Sequence, residues 1–135
     1  MILVDTNVLL DVVTRDPEWA EWSKRQLEAA ALRDRLAINA VIYAELSGAF
    51  ARIEELDAML DAAEIGLAEL PRPALFLAGQ TFKTYRSRGG LRTSVLADFF
   101  LGAHAAVLGA PLITRDAGRY RSYFPTVVLI APDAA

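Results

Sequence analysis

The chain of 135 residues contains no cysteine and a single histidine, His104. The absence of cysteine excludes disulfides, thiolate nucleophiles and zinc–thiolate sites, and one histidine leaves no multi-histidine metal site. No run reaches the roughly 18 apolar residues of a membrane span, and no basic segment precedes the apolar residues at the N-terminus. We therefore expect a soluble, cytoplasmic protein with no membrane segment.

The composition is that of a folded protein, because 54% of the residues are hydrophobic. The length fits a single domain over residues 1–135, with a core that needs no covalent staples. The net charge of −3 hides an asymmetry. Residues 1–79 carry 14 acidic and 7 basic side chains, whereas residues 80–135 carry 3 acidic and 7 basic ones. Unopposed basic residues are typical of phosphate contacts, although solvated helix faces and surface ion pairs also explain them.

Hydrophobic periodicity predicts strands that alternate with helices. The predicted strands cover residues 2–4, 36–38, 64–70, 111–114 and 127–130. The predicted helices cover residues 8–13, 18–33, 40–47, 51–63, 71–87 and 97–108, with a short helical turn ending at residue 120. Thr6 and Asn7 are the expected caps of the first helix, and Asn39 that of the third. Alternation of this kind indicates a three-layer α/β/α fold with a parallel sheet of about five strands.

Two acidic residues follow predicted strands. Asp5 comes directly after the first strand, and Asp116 comes two residues after the fourth. In open α/β sheets, ligands bind outside the carboxyl ends of the strands. We therefore expect both carboxylates at one edge of the sheet, although Asp5 as a turn residue and Asp116 as a helix cap remain open alternatives.

Two further acids lie on apolar helices. Glu45 shares a predicted helix face with Val41 and Ile42, and Asp98 lies in the first turn of the helix over residues 97–108. On the face of Asp98, small residues such as Gly102 let that helix lie close to the sheet, so Asp98 should point at its carboxyl edge. The alternatives are a first-turn response of Asp98 to the helix dipole and an exposed or arginine-paired Glu45.

Four carboxylates in one crevice repel one another, and a partly buried one is costly unless it is paired or bound to a metal. Ligation by oxygen alone favours Mg²⁺ or Mn²⁺ over zinc. Such metals polarise a phosphodiester and activate a water molecule. The hydroxyl of Thr114 could hold a carboxylate or that water, and Thr6 and Asn7 could act similarly near Asp5.

Several segments together resemble the PIN-domain nucleases. These are Asp5-Thr6-Asn7 with Asp11, Tyr43-Ala44-Glu45-Leu46, Ala97-Asp98-Phe99 leading into Gly102-Ala103-His104-Ala105, and Thr114-Arg115-Asp116. Within that family the chain is similar to the VapC toxins of type II toxin–antitoxin systems. The resemblance covers essentially the whole chain. One departure is Ala97, where relatives often have proline, and it affects no ligand.

The resemblance implies a metal-dependent endoribonuclease that blocks translation. It assigns Asp5, Glu45, Asp98 and Asp116 to an acidic quartet that holds Mg²⁺ or Mn²⁺, with Thr114 in support. It also implies a homodimer and inhibition by a VapB-like antitoxin. The candidate docking surface consists of the apolar residues Trp19, Trp22, Phe50, Ile53 and Leu56, and their burial in the domain's own core is an equally open alternative. The residues expected to contact the RNA backbone are Arg86, Arg88, Arg92, Arg115 and Arg119.

Two other functions remain open. The fold could bind RNA or a protein without cutting it, although all four acids are present. A phospho-acceptor receiver domain has a similar fold and an acidic pocket. That fold requires a lysine after its last strand, and the given sequence has Pro132 and Asp133 but no lysine after Ile130.

Overall fold

The computed structural model describes residues 1–93 and 95–132. The strands are β1 Ile2–Val4, β2 Leu36–Ile38, β3 Ile65–Leu67, β4 Leu112–Ile113 and β5 Leu129–Ile130. The helices of this part of the chain are α1 Thr6–Val13, α2 Ala20–Ala31, α3 Ala40–Ser47, α4 Ile53–Ala62, α5 Arg72–Ser87, α6 Leu96–Leu108 and α7 Gly118–Tyr123. None of these helices is long and apolar enough to cross a membrane.

The five strands form one parallel sheet in the order β3-β2-β1-β4-β5. The central strand β1 is buried along its whole length, with at most 2% of any side chain exposed. Because successive side chains of a strand point to opposite faces, both faces of the sheet must be covered. The expected α/β/α fold with a five-stranded parallel sheet is therefore confirmed.

The strands β1 and β4 end level with each other. Val4 pairs with Ile113, and the amide of Asp5 then donates to the carbonyl of Ile113 over 2.9 Å. The amide of Thr114 donates in turn to the carbonyl of Ile130 over 3.1 Å. Asp5 and Thr114 therefore lie side by side at the carboxyl edge of the sheet, directly after the neighbouring strands β1 and β4.

Helix α1 begins at Thr6, two residues before the predicted start. The reason is that the side chain of Asp5 caps the helix itself, accepting the amide hydrogen of Thr6. Thr6 and Asn7 are thus the first two helical residues, and their prediction as caps was wrong. Helix α2 begins at Ala20, later than predicted, because the carboxylate of Asp16 accepts from the amides of Glu18 and Trp19 and holds a turn there.

The predicted cap of α3 is confirmed. Asn39 is fully buried, and its side-chain oxygen accepts from the amide of Ile42 over 3.0 Å. Its amide nitrogen lies 3.3 Å from Nδ1 of His104, which is buried on α6. The single histidine of the chain is therefore part of the core between α3 and α6, apart from the acidic residues.

Helix α6 ends as predicted at Gly109, which adopts a left-handed conformation with φ of 64°. The small residue Gly102 has a different use from the expected one. A Cβ atom at this position would overlap the ring of Phe124, which is 3% exposed and follows α7. Gly102 therefore makes room for Phe124, and this contact seats the C-terminal end of α7 against α6.

We expect Gly102→Ala to lower the free energy of unfolding by about 1–3 kcal/mol, because the ring of Phe124 has no free space to move into. The matched control is Gly79→Ala in α5, where an added Cβ meets nothing within 4 Å. That change should leave stability equal or raise it by up to about 1 kcal/mol, since alanine favours helix. Urea denaturation of both variants tests the contact, and equal effects of the two substitutions would contradict it.

Candidate metal-binding and catalytic site

Asp5 is buried at the end of the central strand, with 5% of the residue exposed. Its Oδ1 accepts from the Thr6 amide over 2.7 Å. Its Oδ2 accepts from the hydroxyls of Thr114 and Tyr120 over 2.9 and 2.8 Å. All of these donors are neutral. Burial raises the pKa of Asp5 from 3.8 to about 6; the charge of Asp98 adds to the rise, and the hydrogen bonds oppose it.

Asp98 lies in the first turn of α6, as predicted, and approaches Asp5 through a shared neighbour. The hydroxyl of Tyr120 donates to Asp5 and lies 3.5 Å from Oδ1 of Asp98. The other oxygen of Asp98 accepts from Nη1 of Arg119 over 2.7 Å. Burial raises the pKa of Asp98, and the charge of Asp116 also raises it, against the opposing effect of Arg119. A buried and a partly buried carboxylate therefore share one phenol at this edge.

Glu45 reaches the site through Thr6, whose hydroxyl donates to Oε1 of Glu45 over 2.6 Å. The sequence predicted Glu45 on an apolar helix face, but the residue is exposed. The buried side of α3 is defined by Ile42 and Leu46, and at 100° per residue Glu45 points about 80° away from their mean direction. Glu45 thus lies at the rim of the site, where its charge stays hydrated.

Asp116 is the outermost of the four acids and is exposed. Its amide donates to the hydroxyl of Thr114 over 3.1 Å, which links its loop to Asp5. Among the described hydrogen bonds, none involves its carboxylate. Its charge nevertheless raises the pKa of Asp98, so the two carboxylates lie close enough to repel each other. The structure brings the four acids to one edge of the sheet, with Asp5 and Asp98 at the centre.

Two polar residues support the site: Asn7 in the first turn of α1, and Thr114 directly after β4. The side-chain nitrogen of Asn7 lies 3.4 Å from Oδ2 of Asp5, and its oxygen accepts from the amide of Arg115 over 3.2 Å. Thr114 is fully buried. Asn7 therefore ties the first turn of α1 to the loop after β4, and that loop carries Asp116.

The donor atoms fit a hard divalent cation by their chemistry. They are carboxylate and hydroxyl oxygens, the ligands that Mg²⁺ and Mn²⁺ prefer. Asp5 in particular is a buried anion whose donors are all neutral. Within residues 1–93 and 95–132, however, no three His, Asp or Glu side chains are close enough together to hold a metal ion. The fit therefore rests on Asp5 and Asp98, with Glu45 and Asp116 further out.

Arg115 has a partner that the sequence did not indicate. Its Nε and Nη2 both donate to the carboxylate of Asp11 over 2.9 Å, and the hydroxyl of Ser23 donates to the same carboxylate over 2.7 Å. The guanidinium also lies over the ring of Trp19, 5.5 Å from its centroid. Asp11 is 2% exposed, so this ion pair fastens α1 and α2 to the loop after β4. Arg115 as an RNA contact stays a prediction, and this guanidinium is already engaged.

The remaining arginines proposed as RNA contacts differ in their freedom. Arg119 is bound to Asp98. Arg86, Arg88 and Arg92 are exposed and form no ion pair with the acids of the described part of the chain. Arg86 lies over Phe82 and Arg88 over Tyr123, with 5.8 and 5.6 Å to the ring centroids. The exposed arginines near the end of α5 are therefore available to an anionic partner.

Sequence reasoning missed Tyr120, which touches both central acids. Its residue is 1% exposed, and burial together with the charges of Asp5 and Asp98 raises the pKa of its phenol. Tyr120 lies on α7, four residues after Asp116, and this short distance along the chain is the one sequence feature that could have indicated its place in the site. The candidate docking surface is mixed, because Leu56 belongs to the core while Ile53 is 62% exposed.

Comparison with known proteins identifies one family and several solved structures with the same fold. The PIN domain family profile matches residues 2–124. No curated protein matches the chain. Among solved structures, VapBC2 from Rickettsia felis bound to a promoter DNA fragment has 20% identity and a TM-score of 0.74, with 98% of this chain and 100% of that one covered.

Two further structures have the same fold. VapBC-1 from nontypeable Haemophilus influenzae has 19% identity and a TM-score of 0.70, covering 97% of this chain and 98% of that one. A toxin–antitoxin complex from Klebsiella pneumoniae has 22% identity and a TM-score of 0.68, covering 95% and 96%. At such identities the likeness establishes the fold.

The burial of Asp5 predicts that its charge destabilises the metal-free protein. Because the folded-state pKa of about 6 lies above the ordinary 3.8, this destabilisation is absent below about pH 4, grows between these values and is complete above about pH 6. Asp5→Asn keeps the helix cap and removes the charge. We expect it to raise the free energy of unfolding by about 1–3 kcal/mol at pH 7.5 in EDTA, and by nearly nothing at pH 4.

The control for this prediction is Asp11→Asn, a second buried acid on α1 that does have a cation, Arg115. This variant should lose about 2–4 kcal/mol at pH 7.5, because it breaks a bidentate ion pair whose carboxylate is buried and leaves the partly buried Arg115 without its anion. Urea denaturation at both pH values provides the measurement. A loss of stability on Asp5→Asn at pH 7.5 would contradict the reading of Asp5 as an uncompensated charge.

Proposed function

Because the chain belongs to the PIN-domain family, we propose that it is a VapC-type toxin, a metal-dependent endoribonuclease that hydrolyses RNA phosphodiesters. The observation that carries the proposal is the pair Asp5 and Asp98, a buried and a partly buried carboxylate at the carboxyl edge of the sheet that share the hydroxyl of Tyr120. A structural role would favour a cationic partner for the buried charge, as Asp11 has in Arg115. The hydrogen-bond donors to Asp5 in the described part of the chain are all neutral, and this suits a cation that arrives from outside.

Asp5 and Asp98 would hold Mg²⁺ or Mn²⁺, with Glu45 and Asp116 contributing from the rim. When bound, such a cation would supply Lewis-acid chemistry, polarising a phosphodiester and activating a water molecule. Thr114 and the Thr6 amide fix the orientation of the Asp5 carboxylate. Thr6 does the same for Glu45. These neutral donors orient the acids without neutralising them, which preserves their affinity for a cation.

The arginines at the end of α5 are proposed to hold the RNA backbone. Arg86, Arg88 and Arg92 are exposed; the first lies in α5, a helix without acidic residues, the second caps its C-terminal end, and Arg92 follows in the next loop. Phosphate contacts of this kind are independent of sequence and weaken with salt. They therefore supply affinity, and they leave the choice of the cleaved sequence to other contacts.

The proposed partners follow from the structural neighbours, which are toxin–antitoxin complexes. We propose a VapB-like antitoxin and a homodimer for this chain, and a single PIN domain over residues 1–135. Three residues of the candidate docking surface, Phe50, Ile53 and the core residue Leu56, line a cavity of about 230 Å³. Since the proposed substrate is cellular RNA, the proposed place of action is the cytoplasm.

Asp5→Asn and Asp98→Asn should each lower the rate of RNA cleavage by more than about 100-fold, since even the partners of metal ligands contribute 10- to 100-fold. Both should also weaken Mn²⁺ binding in calorimetry. Asp61→Asn, an exposed acid at the end of α4, is the matched control and should keep both properties. Cleavage is best followed by sequencing RNA 5′ ends after brief expression. Wild-type rates in the Asp5 and Asp98 variants would refute the assignment.

A second candidate is a PIN-fold module that binds RNA or a protein without cutting. The observation in its favour is that, in the described part of the chain, no three acids lie close enough together to hold a metal ion. Single-turnover assays with excess Mn²⁺ separate the two functions. Binding of RNA with no cleavage of any cellular RNA would favour the module.

A further inference from the structure

Arg119 occupies the carboxylate that the proposed cation needs. Its Nη1 donates to Oδ2 of Asp98 over 2.7 Å, while the other Asp98 oxygen lies 3.5 Å from the Tyr120 hydroxyl. Both oxygens of Asp98 therefore have a neighbour from α7. Asp5 differs, because its hydrogen-bond donors in the described part of the chain are all neutral. The two central acids are thus held by different means.

The ion pair is placed to come apart easily. The side chain of Asp98 is 31% exposed and that of Arg119 is 24% exposed, so water reaches both. Pairs of this kind contribute little to stability, because hydration of the separated charges nearly compensates for their attraction. The Asp11–Arg115 pair is its opposite in the same protein. It is bidentate, and its carboxylate is 2% exposed.

The backbone beside Arg119 is held in place by the residue that follows it. The next residue, Tyr120, is 1% exposed and anchored to Asp5 by its hydroxyl. When Arg119 leaves Asp98, its guanidinium therefore stays within one side-chain length of the acidic edge. Arginine binds phosphate as readily as carboxylate, by the same planar set of donors. The anion that comes to this edge in the proposed reaction is an RNA phosphate.

We propose that Arg119 has two positions: it neutralises Asp98 in the metal-free protein, and it moves to a phosphate of the RNA when a divalent cation binds Asp98. Arg119 is then a positioning residue for the substrate and a competitor of the metal. This inference rests on the proposed metal-dependent nuclease function. It accounts for the partly exposed ion pair between Arg119 and Asp98 at the acidic edge.

The direct test is NMR of the guanidinium ¹⁵N signals of the full chain during a titration with Mg²⁺ alone. We expect the Arg119 signals to shift toward those of a free arginine and to broaden as Mg²⁺ binds. Arg115 is the internal control, and its signals should stay in place because Asp11 takes no part in the site. Unchanged Arg119 signals at a Mg²⁺ concentration that saturates the shift of the Thr6 amide would overturn the proposal.

Calorimetry with two variants gives the second test. Arg119→Gln should tighten Mn²⁺ binding by about 3- to 10-fold, because the competitor is gone. The matched control is Arg121→Gln, which removes one positive charge from an exposed position on the same helix. It measures how much the loss of a positive charge on α7 changes Mn²⁺ affinity without a contact to Asp98. At saturating Mn²⁺, Arg119→Gln should also raise the KM for RNA more than it lowers kcat.

The outcomes separate this proposal from the one on which it rests. Mn²⁺ binding by the wild type with equal affinities for the Arg119 and Arg121 variants would overturn the two-position residue and leave the nuclease intact. Absence of any Mg²⁺ or Mn²⁺ binding by the wild type would overturn both.

Discussion

The buried carboxylate of Asp5 carries the largest electrostatic cost in the site, and the surrounding structure is arranged to hold it. The strand β1 delivers it to the carboxyl edge, and its own first oxygen caps α1. Thr114 and Tyr120 donate to the second oxygen from two other segments. These hydrogen bonds orient the carboxylate, yet burial still raises its pKa to about 6, so they compensate only in part for lost hydration. The site is therefore organised and short of positive charge at once.

The contrast with Asp11 shows that this shortage is local. Both acids lie in the buried part of the α1 region, six residues apart. Asp11 receives a bidentate arginine and a serine hydroxyl, whereas the donors to Asp5 within residues 1–93 and 95–132 are all neutral. The fold is thus able to supply a cation within two turns of Asp5 and places it elsewhere. Arg115 follows Thr114 directly in the chain. The loop after β4 therefore contributes Arg115 to the structural acid Asp11 and Thr114 to Asp5 of the candidate site.

The sequence predicts the sheet and its acidic edge well, because both follow from local patterns. Apolar runs mark the strands, and parallel strands end at a common edge, so Asp5, Thr114 and Asp116 are brought together by topology alone. The partners of individual side chains depend on contacts between residues that are far apart in the sequence, and local patterns do not predict these contacts. The Asp11–Arg115 pair spans 104 residues, and the Tyr120–Asp5 contact spans 115. Glu45 was placed on the apolar side of α3 because its neighbours are apolar, although it lies at the edge of that stripe.

A site with unbalanced charge also ties stability to whatever binds there. Any cation that binds the folded acidic edge and not the unfolded chain raises the free energy of unfolding by mass action. This holds for a metal ion, and equally for a basic side chain presented by a protein partner. Arg119 satisfies the same demand from within, on Asp98 alone, and leaves Asp5 without a cation. The charges of the two central acids are thus balanced in different ways. Asp98 pairs with Arg119 of its own chain until a ligand replaces it, and the charge of Asp5 is left for a ligand from outside.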